Sequence, residues 1–331
     1  MKTMIEKASV FLRVACVCLV TAVLFAACHS TDIPPQAEIH PAPDTGLYVS
    51  ARFTQAQMRI YTNLPYSVRP NFKGLQSTSE NRKALEKGMD QLTIYLDLVV
   101  PPNATSTNKQ PLIVMIHGGG YVGGSKEDRR DEALSYAAAG YVAATIDYRL
   151  TANNQSSDSL RWLAITHATE DAMNAIRFLK ASAGKYNIDT TRVATIGTSA
   201  GGGISLVNAI SADERADMIS DYPGIAAKVQ AAVSTGATLI DATIPASDSF
   251  LRFDATDTPV LLLHANPTDG GTGATWTGNV LPTQKRIQGS GNTCTLVAQP
   301  NLTHTVDLSM GATYWDEVRQ FLWEKLRLYE K

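Results

Sequence analysis

Cysteine is scarce in this sequence, with four in 331 residues. Cys16, Cys18 and Cys28 fall within the first 28 positions, so Cys294 stands alone in the rest of the chain. That excludes a disulfide framework for the folded part and a zinc site built on cysteines. Cys294 itself lies in an alternating stretch and reads as a buried strand residue, not a nucleophile. Neither charge predominates either: 29 Lys and Arg face 31 Asp and Glu, for a net charge of -2. Without a basic excess, no nucleic-acid partner is expected. The uncharged apolar run at residues 14–27 falls short of the roughly 20 residues a spanning helix needs. No internal repeat or low-complexity segment follows residue 46.

The start of the chain reads as a targeting segment. Lys2, Lys7 and Arg13 precede the short apolar run, which is the pattern of a secretory signal over residues 1–27. The run ends in Leu24-Phe25-Ala26-Ala27-Cys28, which resembles a bacterial lipobox with Phe25 in the place of the usual Leu. The resemblance implies lipidation at Cys28; the alternative is an ordinary signal cleaved near Ala27. The expectation is an exported protein anchored in the cell envelope, touching membrane only through a lipid. Without the lipid it would be periplasmic or secreted. Residues 28–46, with Pro34, Pro35, Pro41 and Pro43, read as an extended linker.

With 44% hydrophobic and 18% charged residues, the remainder has a globular composition. Short apolar runs at 92–100, 111–116, 141–146, 193–196, 229–233, 260–263 and 293–298 predict strands. Helical patterns predict helices at 130–139 (stopped by Gly140), 160–181 and 313–328. Strands alternating with helices imply an α/β domain over residues 47–331, a mainly parallel sheet covered on both faces. Residues 47–90 are open between first strands of the sheet and a short flap. In such sheets ligands bind beyond the carboxyl ends of the strands, and the chemistry-bearing residues cluster there.

Gly197-Thr198-Ser199-Ala200-Gly201 follows the strand ending at Ile196. A nucleophilic serine on a sharp strand-to-helix turn needs small neighbours, because the backbone passes close by. His117-Gly118-Gly119-Gly120 follows the strand ending at Ile116. Glycines there let backbone N–H groups approach a developing oxyanion, with Gly118, Gly119 and Ala200 as the candidate donors. The stretch 119–126 nearly spells a phosphate-binding loop, but Ser125-Lys126 reverses the order that loop requires. His304, just after the last predicted strand, is the candidate base. His264 ends an apolar strand and reads as structural, and His167 lies on the apolar face of a helix. The orienting carboxylate should follow a strand between Ser199 and His304. Asp269 fits; Asp241 is the alternative, and Asp257 precedes its strand at the wrong end of the sheet.

Together these residues resemble the α/β-hydrolase superfamily, and within it small carboxylesterases of the hormone-sensitive-lipase-like and bacterial feruloyl/acetyl esterase groups. His117-Gly118-Gly119-Gly120-Tyr121 resembles their oxyanion loop, and Asp147-Tyr148-Arg149-Leu150 their Tyr-Arg-Leu after the next strand. Asp171, Ile188-Asp189 and Arg192-Val193 resemble the run leading into the nucleophile turn. Thr198 stands where the lipase-like group carries Asp or Glu, and Thr151-Ala152-Asn153 replaces its Ala-Pro-Glu, which favours the feruloyl/acetyl side. In the family's His-Gly-x-x-Asp, Ala265 replaces Gly and Asp269 comes one residue late.

The resemblance implies an α/β-hydrolase fold without a large cap, since little chain separates Ser234 from Thr258. It also implies a serine esterase that needs no cofactor or metal. Tyr121, Tyr148 and Trp276 are candidate pocket residues. The expected substrates are small-molecule or polysaccharide-linked esters. Two other readings stay open: an amidase or peptidase using the same three residues, and a non-catalytic binding protein on this fold.

Overall fold

A strand buried on both faces reads as a nearly continuous apolar run, and strand β3 (Gln110–Ile116), polar only at Gln110, is buried throughout. Its side chains still sort by parity, as the pleat requires. Leu112, Val114 and Ile116 enter one core cluster, while Ile113 and Met115 enter the other. The computed structural model describes residues 39–72, 88–211, 219–239, 251 and 253–331. His40–Lys331 form one compact unit.

The other strands are β1 (Arg59–Pro70), β2 (Gln91–Val100), β4 (Val142–Ile146), β5 (Ile188–Thr198), β6 (Ala231–Thr235), β7 (Val260–Ala265) and β8 (Cys294–Gln299). They form an eight-stranded sheet in the order β1-β2-β4-β3-β5-β6-β7-β8. The β1/β2 and β2/β4 pairs are antiparallel, and every pair from β4/β3 to β7/β8 is parallel. Helices α1 (Arg130–Ala139) and α5 (Trp315–Lys325) cover one face. Helices α2 (Asp158–Ala181), α3 (Ala200–Ser211) and α4 (Leu281–Gly289) cover the other. This is the α/β-hydrolase architecture.

Local chemistry sets the helix ends. Gly140 takes φ 109 and donates its N–H to the Ala137 carbonyl, closing α1 in the left-handed cap that favours glycine. The Ser157 side chain accepts the Leu160 N–H at 3.2 Å and starts α2.

Two expectations need adjustment. Residues 47–90 supply an edge strand, β1, among those described. Its register shifts twice, between Tyr61 and Leu64 and between Pro65 and Ser67. Those bulges break the period-2 pattern that would have announced it. The linker expected up to residue 46 is docked where it is described. The His40 ring stacks on Tyr329 with centroids 3.8 Å apart, and the Ala42 N–H donates to Gln320 Oε1 at 2.7 Å. The domain therefore begins near His40. The expected signal segment and Cys28 lie outside the described residues. Among the described residues no helix is long and apolar enough to cross a membrane.

The strand order also fixes where a ligand can enter. From β3 the chain moves to β4 on one side, then returns to β5 on the other. The crevice of an open parallel sheet opens at such a reversal, here beyond the ends of β3 and β5.

Candidate active site

The turn that carries the candidate nucleophile is compressed into one residue. β5 ends at Thr198, α3 begins at Ala200, and Ser199 between them takes φ 53. That left-handed conformation is uncommon for a residue with a Cβ and marks a strained turn. Two backbone hydrogen bonds hold it: Ser199 N–H to the Thr235 carbonyl at 2.8 Å, and Gly203 N–H to the Ser199 carbonyl at 3.0 Å. Both flanking glycines are required by space. A Cβ on Gly197 would strike the Gly201 backbone, and one on Gly201 would strike the carbonyls of Ile116 and His117.

The predicted partners converge on this serine from two other strand ends. His304 Nε2 lies 2.8 Å from Ser199 Oγ, and His304 Nδ1 lies 2.9 Å from Asp269 Oδ1. With Nδ1–H donating to the carboxylate, Nε2 is the acceptor for the serine hydroxyl. Asp269 is buried, and its Oδ1 also accepts the N–H groups of Gly271 and Thr272, each at 2.8 Å. Burial works to raise the Asp269 pKa, but the hydrogen bonds from His304 and Thr272 outweigh it, and the carboxyl is held below its usual range. Asp269, one position late in the family pattern, thus still reaches the histidine. The alternative Asp241 lies outside the described residues. Asp257 lies in the turn before β7, where its side chain accepts the Asp254 N–H, and not beside His304.

The oxyanion loop is braced from behind. Tyr148 Oη donates to the carbonyls of His117 and Gly118 at 3.0 and 3.1 Å, and His117 Nδ1 donates to the Gly118 carbonyl at 2.7 Å. The Gly119 carbonyl accepts from Val122 and Gly123, and the Gly120 carbonyl accepts from Asn154 Nδ2 at 2.9 Å. In a planar trans peptide N–H and C=O point opposite ways. Tying the His117 and Gly118 carbonyls down on one side therefore turns the N–H groups of Gly118 and Gly119 to the other. Gly118 packs directly on the nucleophile: a Cβ there would sit 3.1 Å from Ser199 Cβ. Ala200, first residue of α3, offers an N–H with no partner inside its helix.

The remaining candidates separate. Tyr121 lines the cavity over Ser199. Tyr148 does not; it is buried behind the loop, stacked on His117 with centroids 4.2 Å apart. Its expected role as a pocket residue is corrected to bracing the loop. Trp276 packs against the core and is not a wall of the cavity either. Lys126, from the near phosphate-binding motif, is buried in ion pairs with Asp97 (3.3 Å) and Glu127. Cys294 is buried and free, its thiol pushed up to about 12 by burial.

Other residues at the site carry no motif of their own. His264, read as structural, is fully buried with Nε2 3.8 Å from Asp269 Oδ2, and burial lowers its pKa. It lies behind the Asp269 carboxylate. Gly271 makes room for His304, whose ring a Cβ there would strike. The adjacent glycines at 270 and 271, directly after Asp269, were the available signal. A cavity of about 450 Å³ opens over Ser199 and His304, with Tyr121, Trp162, Ile165, Val207, Leu239 and Leu251 among its walls. That is the size of a small-molecule site.

A match to the BD-FAE family model covers residues 96–266, just over half the chain. The chain belongs to the BD-FAE family. The family is one of esterases and lipases of the α/β-hydrolase fold. Its match here runs from β2 into the loop after β7, so it takes in the oxyanion loop and Ser199 and stops short of Asp269 and His304. Beyond the BD-FAE match, the chain is similar to part of the non-reducing polyketide synthase pkbA of Emericella nidulans, at 25% identity, covering 44% of this chain and 6% of that protein. It is 31% identical to part of the ethyl acetate hydrolase of Pseudomonas putida, covering 36% of this chain and 35% of that one. The chain thus spans only a minor part of the length of these curated relatives. Among solved structures, esterase 2 of Thermogutta terrifontis, phosphorylated by paraoxon, matches at a TM-score of 0.56 and 19% identity, over 74% of this chain and 91% of its own. At that identity the likeness is one of fold.

Proposed function

We propose that this BD-FAE chain is a carboxylic ester hydrolase working through an acyl-enzyme on Ser199. The observation that carries the reading is the connected set Asp269–His304–Ser199, with heavy-atom distances of 2.9 and 2.8 Å, at the floor of a cavity. Ser199 Oγ attacks the ester carbonyl while its proton passes to His304 Nε2. Asp269 holds His304 in the required tautomer and stabilises the imidazolium. The N–H groups of Gly118, Gly119 and Ala200 bind the oxyanion, where loss of one donor typically costs about 2.7–4 kcal/mol of barrier. Collapse expels the alcohol with the proton from His304, and water then attacks the acyl-serine by the same route.

The further reading is an exported lipoprotein, anchored through Cys28, that removes acyl groups from small molecules or from polysaccharides. The short signal-like run and the lipobox-like residues before Cys28 support export.

Turnover of p-nitrophenyl esters of graded chain length by the fragment from residue 40 tests the activity, beside Ser199→Ala. The expected outcome is turnover that falls by at least about 10⁴-fold in the variant, with the thermal midpoint kept. A folded wild type that turns over no ester would sink the esterase reading.

A further inference from the structure

Resting on the reading of Ser199 as nucleophile, we propose that the cavity is built for esters carrying an anionic group, in the first instance a carboxylate, and that Arg161 recognises it. Arg161 lies in the first turn of α2 and lines the same cavity as Ser199 and His304. None of the described residues lining that cavity is Asp or Glu, and among them Arg161 is the one that carries a permanent charge.

The guanidinium is fixed but, among the described residues, not neutralised. Its Nη1 donates to Asn154 Oδ1 at 3.0 Å and to the Gly120 carbonyl at 3.3 Å. Its Cζ lies over the Tyr121 ring, 4.8 Å from the centroid. Arg161 makes no ion pair with a carboxylate among the described residues, whereas Arg149 pairs with Asp171 at 2.9 Å and Arg192 with Asp189 at 2.9 Å. Those arginines spend their donors inside the fold. Among the described residues Arg161 spends Nη1 alone on hydrogen bonds, and Nε–H with the Nη2 group forms the two-pronged edge that fits a carboxylate.

Position ties this edge to the reaction. The carbonyl that Nη1 holds belongs to Gly120, which directly follows the two glycine donors of the oxyanion loop. Tyr121, beneath the guanidinium, reaches Gly203, one helical turn beyond Ser199: a Cβ on Gly203 would sit 2.6 Å from Tyr121 Oη. An anion on Arg161 therefore belongs to the molecule whose ester lies on Ser199. The other described walls carry no Asp, Glu, Lys or Arg, so a neutral ester of the same shape gains contact but no pairing with Arg161. A cationic ester is disfavoured.

The test compares matched pairs of esters. Mono-p-nitrophenyl adipate against p-nitrophenyl hexanoate places the carboxylate on the acyl side; 4-acetoxybenzoate against its methyl ester places it on the alcohol side. For each pair the readout is the ratio of kcat/KM, anionic over neutral, in wild type, Arg161→Gln and Arg161→Lys. The expected result is a ratio that drops about tenfold or more in Arg161→Gln on at least one pair and is partly restored by Arg161→Lys. Which pair responds identifies the side of the ester that bears the anion. Ratios equal in wild type and Arg161→Gln on both pairs overturn the proposal. Calorimetric titration of Ser199→Ala, with and without Arg161→Gln, using 4-acetoxybenzoate, the adipate monoester and their neutral partners, reads the same preference without turnover. Arg161-dependent binding with no hydrolysis by wild type would remove the esterase reading and leave the anion site. Hydrolysis with no anion preference would do the reverse.

Discussion

Two polar clusters, both drawn from motifs of one family, have opposite surroundings in this molecule. Ser199, His304 and Asp269 meet below a cavity, and the His304 side chain is 30% exposed. Arg149, Asp171 and Glu170 meet between β4 and α2 with no exposure at all. The Arg149 backbone N–H and Nε both donate to Asp171, at 2.8 and 2.9 Å, and Arg69 approaches Glu170 at 3.5 Å. The first cluster leaves a lone pair, a hydroxyl and backbone donors facing open space. The second turns its charges on one another. Motif residues thus divide by access: one set can meet a substrate, and the other fixes the path of the chain behind the oxyanion loop.

Asp269→Asn attacks the comparison hardest. It keeps the shape of the open cluster but favours the wrong histidine tautomer, and kcat should fall about 10⁴-fold, read by steady-state kinetics. The same variant has a pH signature. The folded pKa of Asp269 is depressed, so its stabilisation is present above the unfolded carboxylate pKa and is lost as pH falls through the lower folded value. The gap in urea midpoint between wild type and Asp269→Asn should therefore be constant near neutrality and close in acid. A gap independent of pH would mean that the carboxylate is not stabilised in place.

Asp171→Ala is the counterpart in the sealed cluster. It takes the nearer carboxylate from a buried guanidinium, leaving Glu170 at 3.5 Å, and should cost about 3 kcal/mol of stability, read by urea unfolding, while kcat per folded molecule stays near wild type. A large fall in kcat with stability intact would erase the distinction between the clusters. Tyr148→Phe joins the two regions, because Tyr148 braces the oxyanion loop from the buried side. Loss of one such hydrogen bond, about 1 kcal/mol, should lower kcat roughly fivefold and leave KM little changed. The smallest effect belongs to Cys294, whose buried thiol is raised to about 12. It should not react with a thiol reagent at pH 8 until the chain is unfolded.

The pattern of accessibility explains what was legible in the sequence. The central strands were, since burial on both faces forces unbroken apolar runs such as 111–116. Ser199 and the glycine loop were, because a one-residue turn excludes side chains at Gly197 and Gly201 and a close backbone approach leaves little room for one at Gly118. β1 was not, since two bulges destroy its alternation. His40 to Pro43 read as linker because prolines and small residues signal it, yet side chains of α5 bind their backbone. Tyr148 was expected in the pocket because an aromatic residue after a strand end fits either side of a loop, and only the fold chooses. Arg161 carries no local signal, for a lone charge near a helix start is ordinary in sequence. Its meaning comes from the cavity it borders.

Everything proposed for this site depends on Ser199 as the nucleophile. A p-nitrophenyl alkylphosphonate tests it most directly, because attack by the serine oxygen on phosphorus expels p-nitrophenolate and leaves a stable phosphonyl-serine. One equivalent of p-nitrophenolate per chain should be released as ester turnover disappears, with the added mass mapping to the peptide that contains Ser199. Turnover that persists at full modification, or inactivation with the mass on another residue, would rule out Ser199 as the nucleophile.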